Sequence, residues 1–416
     1  MGFGLISLLR ASDLSAQHII PVRSTLPATA TLTQALGSFP TLRAVSGGFL
    51  LINDATWHRL LLADSTLSKV EIVADTESGR RFQYGATAAR LIPFLGDSTL
   101  FADISSQSFL VLDASGKTAR VAAAPKAGDF GAMRFGSAGS NARGDLLYRV
   151  VPKQVVITDR SGTTITHSPD SAAIVRADFA SRSVDTVAKL KMHVPQVLYS
   201  EARPGGTKVN TVVVLPFSAI DDWAVAPDGT IVIVRGRDYH LEWISADGAV
   251  RSSLKLPFDW LRLSDEQKQQ LADSARRVVQ ARLDSARARS ASRGRASGIG
   301  LTGSVDLASG VNSSIPLDAN VRATPLDSIP DYVPPIRPGS VLPDYEGNIW
   351  ILPFTSSRAG SGRITYDVVN ARGELFERVQ LPQGKSIAGF GKDGALYLAW
   401  RDSSGSWHLE RTRVER

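Results

Sequence analysis

The chain has 416 residues, 43% apolar and 21% charged, with 35 glycines, 21 prolines and no cysteine. That composition excludes disulfides, thiolate metal sites and cysteine nucleophiles, and it suits a folded protein made of many short strands and turns. Lys and Arg number 47 against 40 Asp and Glu, a net charge of +7, but seven arginines from Arg276 to Arg295 face only Asp284 within that stretch, so no general nucleic-acid surface follows.

The first element is "MGFGLISLLRASDLSAQ", residues 1–17. Phe3 to Leu9 is apolar and small residues precede a cleavage point after Ala16, as in a signal peptide, although no Lys or Arg precedes the run. The segment reads as a signal peptide or its remnant, or as a plain N-terminal segment; the first reading places the protein outside the cytoplasm. No apolar run approaches the roughly 18 residues of a membrane helix, so no membrane span is expected.

From residue 40 onward one short pattern recurs, a turn followed by a hydrophobic run: "GGFLLIN", "GDSTLFAD", "RGDLLYR", "DGTIVIV", "EGNIWIL" and "DGALYLA". The copies are anchored at Gly48, Ser98, Gly144, Gly229, Gly347 and Gly394, spaced 50, 46, 85, 118 and 47 residues apart. Three spacings match one repeat unit and two require insertions. Around Gly229 the full unit is legible as four strands near 220–226, 230–235, 239–244 and 249–256, joined by tight turns into an antiparallel meander. A turn before each fourth strand recurs too ("LADSTL", "LDASGK", "ADFASRS", "SADGAV", "NARGEL"), five times for six units. The last unit, ending in "WHLERTRVER", lacks its outer strand, and "HIIPV" at 18–22 is available to pair with 407–413 and close a ring. Residues 18–416 then form one domain.

The first insertion, between Gly144 and Gly229, holds a hairpin around "KQVVITDRSGTTITHSPDS" and a connection near "SEARPGGTKVN". The second, 264–310, opens with a capping box of Ser264 and Gln267 and continues as a helix from Asp265 to about Ala288, with Leu271, Ala275, Val278 and Leu283 on one face. A stripe of that kind requires cover, so the helix is expected to lie over a channel mouth as a lid or to dock a partner. The following "ARSASRGRASGIGLTGS" loses periodicity. Its G-x-G-x-x-G match, Gly298 to Gly303, follows an Arg/Ser-rich run rather than a strand and reads as linker. "QGKS" at Gln383 to Ser386 lacks the glycine of a phosphate loop and reads as an inter-unit turn.

On these segments the chain resembles six-bladed β-propellers of the NHL, YWTD and gluconolactonase-like group, with "DGTIVIV", "EGNIWIL" and "DGALYLA" where that group carries Asp-x-Gly-x-hydrophobic. Through "WAVAPDG", "YHLEW", "LPFDW" and "IPDYVPPI" it looks more closely like exported bacterial six-bladed propellers without assigned function. The resemblance implies an all-β fold, a six-bladed β-propeller of four-stranded antiparallel blades with a helical insertion between blades four and five, over residues 40–416.

Propellers bind at the mouth of the central channel. Asp221 and Asp222, at an inner-strand start, can hold a cation or a basic group; the competing role, turn capping and solvent exposure, is the commoner one for Asp. Arg235 and Tyr239 flank the next turn as further ligand contacts, or as parts of an ordinary hairpin. The six histidines form no H-x-H or H-E-x-x-H pair, and no G-x-S-x-G is present. No catalytic residue, metal ligand or cofactor is assigned. The expected function is a non-enzymatic, monomeric scaffold that binds a protein, peptide or glycan on one rim. A metal-dependent hydrolase resembling the gluconolactonases is the alternative, and a quinone-dependent dehydrogenase a third.

Overall fold

The computed structural model describes residues 20–75, 88–103, 106–134, 137–205, 207–297, 304–306, 314–356 and 362–416. The glycine-rich match at 298–303 and the start of the expected closing strand, 18–19, lie outside them. The chain is mostly β, built largely from four-stranded antiparallel sheets, an arrangement consistent with a propeller.

The recurrent hydrophobic run is the second strand of a meander each time: Leu50–Asp54, Thr99–Asp103, Leu146–Arg149, Ile231–Arg235, Ile349–Ile351 and Leu396–Arg401. Each begins one or two residues after its anchor. The six sheets they define are numbered here in chain order, one to six.

These runs are continuously apolar rather than alternating because both faces of the strand are covered. In sheet four, Ile231 and Ile233 pack towards sheet three with Leu147, Ile174 and Trp223, while Val232 and Val234 pack towards sheet five with Ile349, Ile351 and Val369. The same division recurs between sheets one and two, two and three, and five and six. A last cluster joins Tyr397 and Leu409 of sheet six to Leu50, Ile52 and Leu61 of sheet one. Each buried aliphatic or aromatic side chain is worth about 1.5–3 kcal/mol, so the joints between sheets carry most of the stabilisation.

The anchoring glycine has a backbone reason. Gly229 sits at φ +86°, and a Cβ there would fall 2.6 Å from the Asn141 Cα of the preceding sheet; the turn needs both the left-handed conformation and the missing side chain. In the turns before the fourth strands the left-handed position is held by Gly116, Gly248 and Gly373, but by Leu67 and Arg182 in the two copies that lack glycine.

Two expectations are corrected. The strand completing sheet six is Ala30–Thr31, pairing antiparallel with Arg411 and Glu410, and not residues 18–22. Leu26, Leu32 and Leu36 extend that contact by backbone bonds to Arg413, Leu409 and Trp407. Val22–Ser24 instead runs parallel to Arg378–Gln380 as a fifth strand of sheet five. The physical reason is that Leu32 and Leu36 bring apolar side chains into the joint between sheets six and one, whereas Pro21 accepts the Arg378 N–H of sheet five and Val22 pairs beside it.

The insertions also differ from the reading as a hairpin plus a connection. Val155–Thr158, Thr164–His167, Gln196–Ala202, Lys208–Val214 and Asn320–Ala323 form one five-stranded sheet, the last strand parallel to its neighbour. The helix, Asp265–Ser297, packs on it. Val279, Leu283 and Ala286 meet Val212, Val214, Ile315 and Leu317, so this face is covered by the chain's own sheet. Of the expected line Leu283 is buried and Ala275 packs against the same cluster, but Val278 is 51% exposed and Val279 is buried in its place. No helix among the described residues is long and apolar enough to cross a membrane.

Candidate functional site

The first strands of the six sheets lie side by side around a common centre: that of sheet one lies against those of sheets two and six, three against two and four, and four against five. Their spacing is tight. A Cβ on Gly139 would meet Val225, and one on Gly389 would meet Leu42.

Where these strands end and turn outward they enclose a cavity of about 560 Å³, to which every sheet contributes, through Leu42, Arg90, Asn141, Val225, Leu342 and Phe390 among others. Its walls mix apolar groups with several charges, most of which are already engaged. Lys392 pairs with Asp97 at 2.6 Å, and Asp97 also accepts from the Ser46 hydroxyl. Arg43 donates to the Ser98 carbonyl and the Thr99 hydroxyl. Asp344 accepts from Asn348 and from the Trp350 indole at 2.9 and 3.0 Å. Tyr345 donates to the Ala44 carbonyl at 2.9 Å, and burial raises its pKa.

Arg90 is the exception. Its side chain lines the cavity from the first strand of sheet two and makes no hydrogen bond among the described residues. Burial lowers its pKa, and the charge opposing that effect is Asp222.

Asp222 is the second residue of the first strand of sheet four, Asp221–Val225, towards the end of the strand away from the cavity. It is buried, and its Oδ2 accepts the Val341 N–H of sheet five at 3.1 Å. Burial pushes its pKa up to about 7 against the opposing backbone N–H groups of Trp223, Val341 and Ser340 and the charge of Arg149. Burial lowers the Arg149 pKa as well; its Nη1 donates to the Met192 sulfur at 3.1 Å, and its Nε has no partner among the described residues.

The four residues singled out in the sequence fall into three environments. Asp221 and Arg235 form an ion pair at 2.7 Å, in which Asp221 also accepts the N–H groups of Lys191 and Gly236. Arg235 donates in addition to Glu242. Asp222 turns the other way, because successive strand residues point to opposite faces, so the two carboxylates do not converge on one ion. Tyr239 is fully buried and donates to Asp367 at 2.7 Å, and Arg378 donates to the same carboxylate.

Arg90 and Arg149 escape a reading by sequence, since each is a lone arginine in a strand; the only signal is a charge inside an otherwise apolar run. A further pair unites distant segments: His193 Nδ1 lies 3.1 Å from the Ser218 hydroxyl, both partly buried. His240 pairs with Asp238, and His408 with Asp402 while stacking on Trp400. Among the described residues no three His, Asp or Glu side chains are grouped as a metal site.

No family model matches the chain, and no curated protein matches it. Among solved structures it is similar to an exported-class protein of Bacteroides fragilis, with 11% identity over 97% of this chain and 98% of that one at a TM-score of 0.42. It is also similar to virginiamycin B lyase of Staphylococcus aureus, solved as an inactive variant with quinupristin, with 9% identity over 93% and 97% at a TM-score of 0.38. A DUF4221 family member from Bacteroides vulgatus shares 8% identity over 96% and 98% at a TM-score of 0.39. The architecture itself rests on the strand pairing and the cores between sheets.

Proposed function

We propose that the chain is an extracytoplasmic six-bladed β-propeller that acts as a binding scaffold, taking a peptide or glycan at the cavity where the first strands of its six sheets converge. The observation that carries this reading is the cavity: about 560 Å³, with walls from all six sheets. That lies within the roughly 300–1,000 Å³ typical of ligand pockets, and the lining mixes apolar surface with a few placed polar groups in the usual way. Asp222 supports it from the opposite end by fixing the first strands of sheets four and five to one another, and the Asp221–Arg235 pair by tying sheet four to Lys189 and Lys191 on the fourth strand of sheet three.

The test is a peptide and glycan array probed with the wild type and with Ala142→Trp. Ala142 is exposed on a turn at the cavity wall, so an indole there obstructs the opening without disturbing a core. Binding that falls at least tenfold in the variant, at unchanged melting temperature, supports the reading; wild-type hits that the variant keeps overturn it. Lactone or phosphoester turnover dependent on added Ca²⁺ or Zn²⁺ would replace the scaffold with a metal-dependent hydrolase.

A further inference from the structure

Among the described residues, the cavity contains one charge without a hydrogen-bond partner. Lys392 is held by Asp97, Arg43 by Ser98 and Thr99, and Asp344 by Asn348 and Trp350. Only the Arg90 guanidinium combines a place on the wall with no hydrogen bond to any described residue. Leu42, Leu91, Phe94 and Leu342 supply apolar wall alongside it.

We propose that the cavity receives a ligand with a single carboxylate on an apolar body, and that Arg90 is the group that receives the carboxylate. The guanidinium presents a planar fork that matches two coplanar oxygens, and with water displaced by an apolar ligand body such a bond is stronger than on an open surface. Among the described residues one cation on the wall has no hydrogen-bond partner, and it matches one negative charge. A doubly charged phosphoryl group would leave its second charge beside Asp97 and Asp228, which line the same cavity. Asp222, the carboxylate that acts electrostatically on Arg90, is committed to the Val341 N–H of sheet five and does not fill the fork.

This inference rests on the reading of the cavity as a ligand site, and the test separates the two. A panel of aromatic and aliphatic monocarboxylates, phenylacetate among them, is titrated calorimetrically against the full chain, each compound beside its neutral amide and its phosphonate. The variants are Arg90→Gln, Arg90→Lys and Ala142→Trp. The expected result is saturable binding of a carboxylate, at least tenfold weaker binding of its amide, and a loss of at least tenfold in Arg90→Gln that Arg90→Lys recovers in part, with melting temperatures unchanged. Amide and carboxylate binding alike, in the wild type and in Arg90→Gln but not in Ala142→Trp, would overturn the carboxylate assignment and leave the cavity reading standing. Tighter binding of the phosphonate would also overturn the assignment, in favour of a tetrahedral oxyanion. Absence of saturable binding by every compound would overturn both.

Discussion

Asp222 illustrates how one residue can be legible in sequence while its role is not. An Asp-Asp step before a Trp marks a strand start, but which carboxylate faces the neighbouring sheet depends on a partner 119 residues away, Val341. Burial, outweighing the backbone N–H groups and the Arg149 charge, raises the Asp222 pKa to about 7, and the sign of the consequence follows. The folded state binds this proton more tightly than the unfolded chain does. Stability from this group is therefore fully present below the unfolded value near 4, declines as pH rises towards about 7, and is level above it. Asp222→Asn removes the titration. Thermal melts of both proteins from pH 4 to pH 8 should show the wild type losing ground to the variant by on the order of 4 kcal/mol across that interval; parallel curves would refute the assignment. Tyr239 makes the complementary point. Its position after a turn suggested exposure, whereas the adjacent sheet buries it and supplies Asp367 as its acceptor, and no local pattern announces a bond across 128 residues.

Strands and turns were the best-read elements, because a run apolar on both faces and a turn needing positive φ leave marks within a few residues of sequence. The four strands read around Gly229 fall within a few residues of Asp221–Val225, Ile231–Arg235, His240–Ile244 and Val250–Ser252. The helix was legible as a helix but not in its facing. Its buried line passes through Lys268, Ala272, Val279, Leu283 and Ala286, and with alanines and a lysine in that line the periodicity is faint enough for Val278 to be mistaken for Val279. The strand Lys208–Val214 that receives it was read as a connection because "RPGG" marks a turn without revealing the strands on either side. Leu283→Ala should cost about 2–5 kcal/mol, whereas Val278→Ala should stay within about 0.5 kcal/mol. Chemical denaturation of the two variants decides; equal effects would mean that the helix presents a different face.

Six sheets joined pairwise by apolar clusters need the last joint as much as the others, and that joint is held by a segment from the beginning of the chain. Leu32 and Leu36 are 1% and 0% exposed. Among the described residues, removing those up to 24 deletes the parallel addition to sheet five and the Ser24 bond to the Glu415 N–H, while removing residues up to 36 also strips two buried leucines, each worth about 1.5–3 kcal/mol, and the outer strand of sheet six. The longer truncation should lower the melting temperature by several degrees more than the shorter one; equal melting temperatures would show that sheet six holds without its added strand. The need for an added strand is readable from an outer strand missing at the C-terminal end, but its identity is not: the sequence points to 18–22, whereas Ala30–Thr31 fills the place, and that decision lies in side chains that meet sheet one. The orientation of that segment also has a mechanical consequence. Thr25 lies opposite Val414, Ala30 opposite Arg411, Thr31 opposite Glu410 and Leu36 opposite Trp407, so both chain ends leave the antiparallel pair on the same side. Tension applied between residue 20 and residue 416 loads these rungs one after another, as in a zip, instead of sharing the load among them as in shear. Once the short parallel strand lets go, the seam should part next and at low force, releasing about 60 Å of extended chain before any of the other joints opens.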